Sequence, residues 1–202
     1  MNIKENLKKE KKKHIIKAAA FVFSKKGYSG ASIAEIAVSA DIGKGTIYEY
    51  FNSKEDLFFA VFEWYVNKTS TSLRVNVSAL GGSAAQRLEA INDAIMNMWD
   101  EIQDIFTLTM EFWAASSVSQ MRHQFQEAFK KLYLNLRNIV ASLIQDGKDR
   151  GEFDREIDVD AVAAALVGAW DALFLQAWFD RDFEPLETAR KFLKVVVRGL
   201  KS

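Results

Sequence analysis

Lys44, Thr46, Tyr48 and Tyr50 lie close together in the chain, and each carries a polar group suited to nucleic acid. Ammonium and hydroxyl groups donate to phosphate oxygens, while a threonine methyl and a tyrosine hydroxyl can meet the edges of bases in a groove. The residue sets that break bonds are missing around them. There is no Ser/His/Asp set, no phosphate-binding glycine loop and no dinucleotide fingerprint. His14 and His123 stand apart, without the H-x-x-x-H or H-E-x-x-H spacing of a metal site. The acidic run from Glu152 to Asp160 lacks the glycine and closing glutamate of a calcium loop. The chain therefore reads as a binder and not an enzyme, with no catalytic residue, no metal and no cofactor.

Positioning those four side chains requires two short helices around a tight turn. Ser32 is suited to cap the first, and Glu35 three residues on completes a capping box. Ile33, Ile36 and Ala37 recur at helical spacing and give that helix one buried face. Asp41-Ile42-Gly43 breaks the pattern, with Gly43 expected to supply the backbone freedom of the turn. In the second helix Ile47 and Phe51 face inward, which leaves Lys44, Thr46, Tyr48 and Tyr50 outward. Such a helix-turn-helix enters the major groove of DNA.

A preceding helix carries Ile15, Ala19, Val22 and Phe23 on one stripe and is expected to end at Gly27. A following one is capped by Ser53 with Asp56 at its third position, and bears Leu57, Val61, Trp64 and Tyr65 towards Leu80. Charge agrees with this division. The chain is neutral overall, but residues 1–54 hold eleven lysines against five carboxylates, a balance of +6 that the remainder cancels. A basic end beside an acidic remainder points to a polyanion bound by the first alone. Residues 1–13, rich in lysine, are expected to be an arm or a frayed helix start that steers the chain to phosphates.

With apolar residues at 49%, one proline and no cysteine, the 202 residues suit an all-α protein of about nine helices in a reducing compartment. No membrane-length apolar run is read, so a soluble, cytoplasmic protein is expected. Helical periodicity divides the rest at 84–101, 104–117, 120–145 (ended by Asp146-Gly147), 158–179 and 184–200. Phe106, Met110 and Trp113 share one face, as do Phe125, Phe129 and Tyr133, and then Trp170, Phe174 and Trp178. Rings spaced this way usually fill a core; together they can also line a cavity for a bulky, largely apolar effector. Phe106, Met110, Trp113, Phe129, Tyr133, Trp170 and Phe174 are the candidate lining. Glu111 and Asp171 lie beside them in sequence; buried, either would favour a cationic ligand. Ala161, Ala164, Ala165, Gly168, Ala169 and Ala172 form a small-residue face. With Phe192, Leu193, Val196, Val197 and Leu200 of the last helix it can pack against a second copy.

The first quarter of the chain resembles the TetR (tetracycline-repressor-like) family of bacterial regulators. The resemblance rests on Gly27-Tyr28, Ser32-Ile33 and Ile36-Ala37. It continues through Ile42-Gly43-Lys44-Gly45-Thr46-Ile47-Tyr48 and Tyr50-Phe51-Asn52-Ser53-Lys54-Glu55-Asp56-Leu57. Asp41 stands where the family commonly has glycine. The resemblance implies a DNA-binding domain at residues 1–53 and a helical effector-binding and dimerisation domain at 54–202. It implies a homodimer on a pseudo-palindromic double-stranded DNA operator, and repression relieved by a small molecule. It also implies roles for single residues: Ser32, Tyr50 and Lys54 on phosphate, Lys44, Gly45 and Thr46 at the groove, Tyr48 on bases or phosphate. The alternative is an architectural DNA-binding protein whose second domain recruits a protein partner and holds no small molecule.

Overall fold

The computed structural model describes residues 3–78, 81–103, 106–118 and 121–201, without the side chains of 3–4, 68–78, 101–102 and 118. Among the described residues all regular structure is helical. The order is α1 Ile3–Gly30, α2 Ile33–Ser39, α3 Lys44–Tyr48, α4 Lys54–Ser78, α5 Ala84–Asn97, α6 Trp99–Ile102, α7 Phe106–Val118, α8 Arg122–Asp149, α9 Val159–Phe179 and α10 Pro185–Leu200. The expected segment 84–101 is broken at Met98 into α5 and the single turn α6. The expected ends at Leu80, Asp104 and Gln120 lie outside the described residues. Contacts gather the chain into two compact units, residues 1–68 with 104–128, and 69–103 with 129–202.

In unit 1 the α1 stripe Ile15, Ala19, Val22 and Phe23 is buried as its spacing requires. The helical run breaks at Gly27 (φ 71°, ψ 166°), where any Cβ would stand 2.6 Å from Glu111 Oε1. Phe23, Phe58, Phe62, Phe112 and Phe125 form a continuous ring cluster. Phe58 lies 5.1 Å from Phe23 and 4.8 Å from Phe112, and Phe62 lies 5.3 Å from Phe125, between centroids. Helix α7 and the start of α8 thus complete the core on which the first three helices sit.

Unit 2 packs α5, α9 and α10 around Leu88, Ile91, Leu166, Trp170, Leu193 and Val197. Two expectations are corrected here. Helix α8 does not stop at Asp146-Gly147 but runs to Asp149. Gly147 serves close packing instead, because a Cβ there would overlap the Phe153 ring. Leu193, Val197 and Leu200 of α10 belong to the core of their own unit. The apolar side chains α10 leaves outside are Phe192, 42% exposed, and Val195, 66% exposed.

The expectation of no membrane-length apolar run also fails. Helix α9 is long and apolar enough to cross a membrane by length and composition, with an 18-residue window of mean hydropathy 1.5. Its apolar residues, however, go to separate faces. Ala163, Leu166, Val167, Trp170, Leu173 and Ala177 are buried, while Ala161, Ala164, Ala165, Gly168 and Ala172 are exposed. A carboxylate stands near its start, Asp160, and another near its middle, Asp171.

Candidate nucleic-acid interface

The helix-turn-helix assembles as its residue types demand. Ser32 Oγ accepts from Glu35 N, and Glu35 Oε2 accepts from Ser32 N at 3.0 Å, so two donors at the start of α2 are satisfied reciprocally. Lys26 pairs with the same Glu35 carboxylate. Its hydrogen bond, followed by those of Ser32, holds the Glu35 carboxyl down at about 2. At the other end Ile42 N donates to Ala37 O at 3.0 Å and Asp41 N to Val38 O at 3.1 Å. That is a Schellman ending, and it places Asp41 in the left-handed region at φ 49°. The strained residue of the turn is therefore Asp41 and not Gly43, whose φ of −70° is open to any residue. Asp reaches this conformation more easily than most because its short polar side chain can bond locally.

Helix α3 is anchored by Ile47 and Phe51, both buried. Lys44, Gly45 and Tyr48 are exposed, Tyr48 by 50%, and Thr46 and Tyr50 are half-buried. Glu49 is exposed. Helix α1 is regular from Ile3, so the lysine-rich start is helical and not an arm. Its Leu7, Lys8 and Lys11 line a surface groove with Glu49 and Tyr50, and the Lys12 ammonium lies 5.3 Å from the Phe51 ring centroid. His14 Nε2 donates to the Ala40 carbonyl at 2.9 Å, tying α1 to the end of α2.

Lys54 turns inward. Its ammonium donates to the carbonyls of Tyr28 (2.8 Å) and Ala31 (3.0 Å) and lies 4.4 Å from the Tyr28 ring centroid. From the other side Glu111 on α7 accepts the Tyr28 N–H, at 2.8 Å by one oxygen and 3.0 Å by the other. A cation and an anion from two helices thus clamp the turn that delivers Ser32. At the start of α4, Ser53 Oγ accepts from Asp56 N at 3.0 Å and Asp56 Oδ2 from Asn52 N at 2.9 Å.

Two family models match this chain: the bacterial regulatory proteins of the tetR family over residues 15–61, and the tetracyclin repressor-like C-terminal domain over 108–193. The chain belongs to the TetR family. This TetR-family chain is 23% identical over 190 residues to the HTH-type transcriptional repressor DhaR of Mycobacterium sp. (strain GP1), covering 94% of itself and 91% of that repressor. A TetR transcription regulator from Haloarcula marismortui shares its fold at a TM-score of 0.84 and 20% identity, over 96% of this chain and 100% of that one. The regulator FadR from Bacillus subtilis, solved in complex with stearoyl-CoA, does so at 0.76 and 20% identity, over 92% and 97%. The protein is a DNA-binding transcriptional regulator and not an enzyme. Among the described residues no three His, Asp or Glu side chains gather as metal ligands do.

The seven candidate effector residues of this regulator divide between the units. In unit 1 Phe106 is a core residue, while Met110 and Trp113 are half-buried. In unit 2 Trp170 is buried, and its Nε1 donates to Asn92 Oδ1 at 3.0 Å. Tyr133 stacks near Phe129 at 6.4 Å and Phe174 on Trp99 at 5.6 Å, all four half-buried. The Tyr133 hydroxyl donates to Asp171 Oδ2 at 2.7 Å, and burial raises the Asp171 carboxyl above its usual range despite that bond. Sequence reasoning missed Phe112 as a core ring and Glu111 as a clamp. Helix α7, Phe-Thr-Leu-Thr-Met-Glu-Phe-Trp-Ala-Ala, is apolar nearly all round, so spacing alone picks no single buried face. No local signal announces a carboxylate that caps a turn 83 residues earlier.

Proposed function

We propose that the protein is a homodimeric cytoplasmic repressor that leaves a pseudo-palindromic operator when a bulky, largely apolar small molecule binds its C-terminal half. Residues 1–53 act as the reading head and 54–202 as the effector and dimerisation part. The observation that carries the reading is the outward rim of α3, with Lys44, Gly45 and Tyr48 exposed above buried Ile47 and Phe51. Lys44, Gly45, Thr46 and Tyr48 meet the groove; Tyr50 and the start of α2 at Ser32 meet phosphate. Lys54 acts at one remove: its ammonium donates to the Tyr28 and Ala31 carbonyls and holds the turn that delivers Ser32 to phosphate.

Dimerisation is supported by the small-residue face of α9 and by Phe192 and Val195 of α10, apolar surface that a single chain leaves in water. Two-fold pairing spaces two heads for successive major grooves, about 34–36 Å apart. The half-buried effector candidates are Met110 and Trp113 in unit 1, and separately Phe129, Tyr133 and Phe174 in unit 2. A hundredfold loss of operator affinity needs only about 2.7 kcal/mol of differential binding. The deciding experiment is selection of genomic fragments at physiological salt, followed by binding of Tyr48→Ala and Lys44→Ala to the selected site. The wild type prefers that site over random DNA by at least ~1,000-fold, and both variants lose the preference while keeping the native melting curve. Unchanged affinity in both variants would sink the reading.

A further inference from the structure

Helix α9 carries a third stripe beside its buried face and its small-residue face: Asp171, Phe174 and Trp178, all half-buried, with Phe174 packed against the unit 2 core. In unit 2 the half-buried acids are Asp93, Asp146, Glu152 and Asp171 among the described residues. Asp93 meets Arg190, Asp146 meets Arg87 and Arg150, and Glu152 meets Arg150. Asp171 has no such partner there; its one hydrogen bond is the neutral Tyr133 hydroxyl. A carboxylate drawn out of water needs a compensating charge, and burial raises the Asp171 carboxyl accordingly. Its partner is a ring hydroxyl, and the next turns of α9 carry further rings. Tyr133 stacks near Phe129, Phe174 one turn along stacks on Trp99 with 16° between the ring planes, and Trp178 follows one turn further. Aromatic faces attract cations and a carboxylate completes the charge, the combination that recognises organic ammonium groups.

We propose that the face of α9 around Asp171 in unit 2 binds an organic cation on an apolar, ring-bearing body, with the Asp171 carboxylate as its counter-ion. This rests on the effector reading above and supplies its chemical class. A neutral ligand leaves the carboxylate uncompensated, and an anionic one sets like charge against it.

The test uses two probes of the same shape and opposite charge, tetraphenylphosphonium and tetraphenylborate, titrated into the full-length protein in sodium buffer with tryptophan fluorescence and calorimetry as readouts. Tetraphenylphosphonium binds at least ~10-fold more tightly, about 1.4 kcal/mol. In Asp171→Asn, whose amide oxygen still accepts the Tyr133 hydroxyl, the preference disappears with the melting curve kept. The wild-type comparison depends on no variant. No binding of the phosphonium, equal or reversed preference in the wild type, or a preference retained in a folded Asp171→Asn overturns the proposal. Operator binding is measured separately on the same samples. Phosphonium bound at Asp171 with the operator still held keeps the cation site and overturns the effector reading. Release by an anionic acyl thioester, with no cation bound, does the reverse.

Discussion

Replacing Lys54 by methionine keeps the side-chain stem and removes only the ammonium, so it asks whether that charge serves the fold or the DNA. The ammonium donates to Tyr28 O at 2.8 Å and Ala31 O at 3.0 Å and stands 4.4 Å from the Tyr28 ring centroid. Taking about 1 kcal/mol net for each bond, because Lys54 is only half-buried, and about 0.5–1 kcal/mol for the ring contact gives a loss of about 2.5–3 kcal/mol. For a chain of this size that is a fall in Tm of about 5–12 °C, read by calorimetry. The same protein is then titrated against the selected operator over a series of salt concentrations. A phosphate contact contributes about 0.9 to the slope of log K against log salt. With two N–H groups turned inward, Lys54→Met is expected to lower Tm and weaken the complex while leaving that slope unchanged. An unchanged Tm with a slope shallower by about 0.9 per reading head would refute the structural reasoning and assign the charge to phosphate.

Asp41 in the left-handed region makes Asp41→Ala destabilising by about 1 kcal/mol, whereas Asp41→Gly stays within about 0.5 kcal/mol of the wild type in urea unfolding. The Glu35 carboxyl, held at about 2 by Lys26 and Ser32, has a folded pKa below its unfolded one. Its contribution is therefore complete above about pH 4.5 and fades as pH falls towards 2, and Glu35→Gln removes that part of the acid dependence of melting. Trp170→Phe removes the donor to Asn92 Oδ1 inside the unit 2 core and is expected to cost about 1–3 kcal/mol by chemical unfolding. Val195→Asp, on the apolar surface α10 leaves in water, should shift sedimentation to the monomer and weaken operator binding with it; a dimer that persists removes that surface from the interface.

Much of the reading head was legible in the chain alone, because its determinants are local. A capping box at Ser32 and Glu35, a stripe of Ile33, Ile36 and Ala37, and Ile47 with Phe51 one turn apart each depend on neighbours within five residues. Helix type and the exposed rim of α3 follow from those spacings. The turn was only half read: composition favoured Gly43, but the Schellman bonds to Ala37 and Val38 put the left-handed residue at Asp41.

Only the tertiary structure decided which way a residue faced when its helix was apolar on several sides or its partner was distant in sequence. Leu193, Val197 and Leu200 turned to their own core and left Val195 outside. Gly147 did not end its helix and serves close packing instead, under a Phe153 ring that leaves no room for a Cβ. Lys54, which by type and family suits phosphate, is drawn inward by the carbonyls of Tyr28 and Ala31, while Glu111 meets the Tyr28 N–H from the other side. Periodicity reports which faces of a helix are apolar, but a charge is placed by the partner it finds, and those partners are brought near only when the chain has folded.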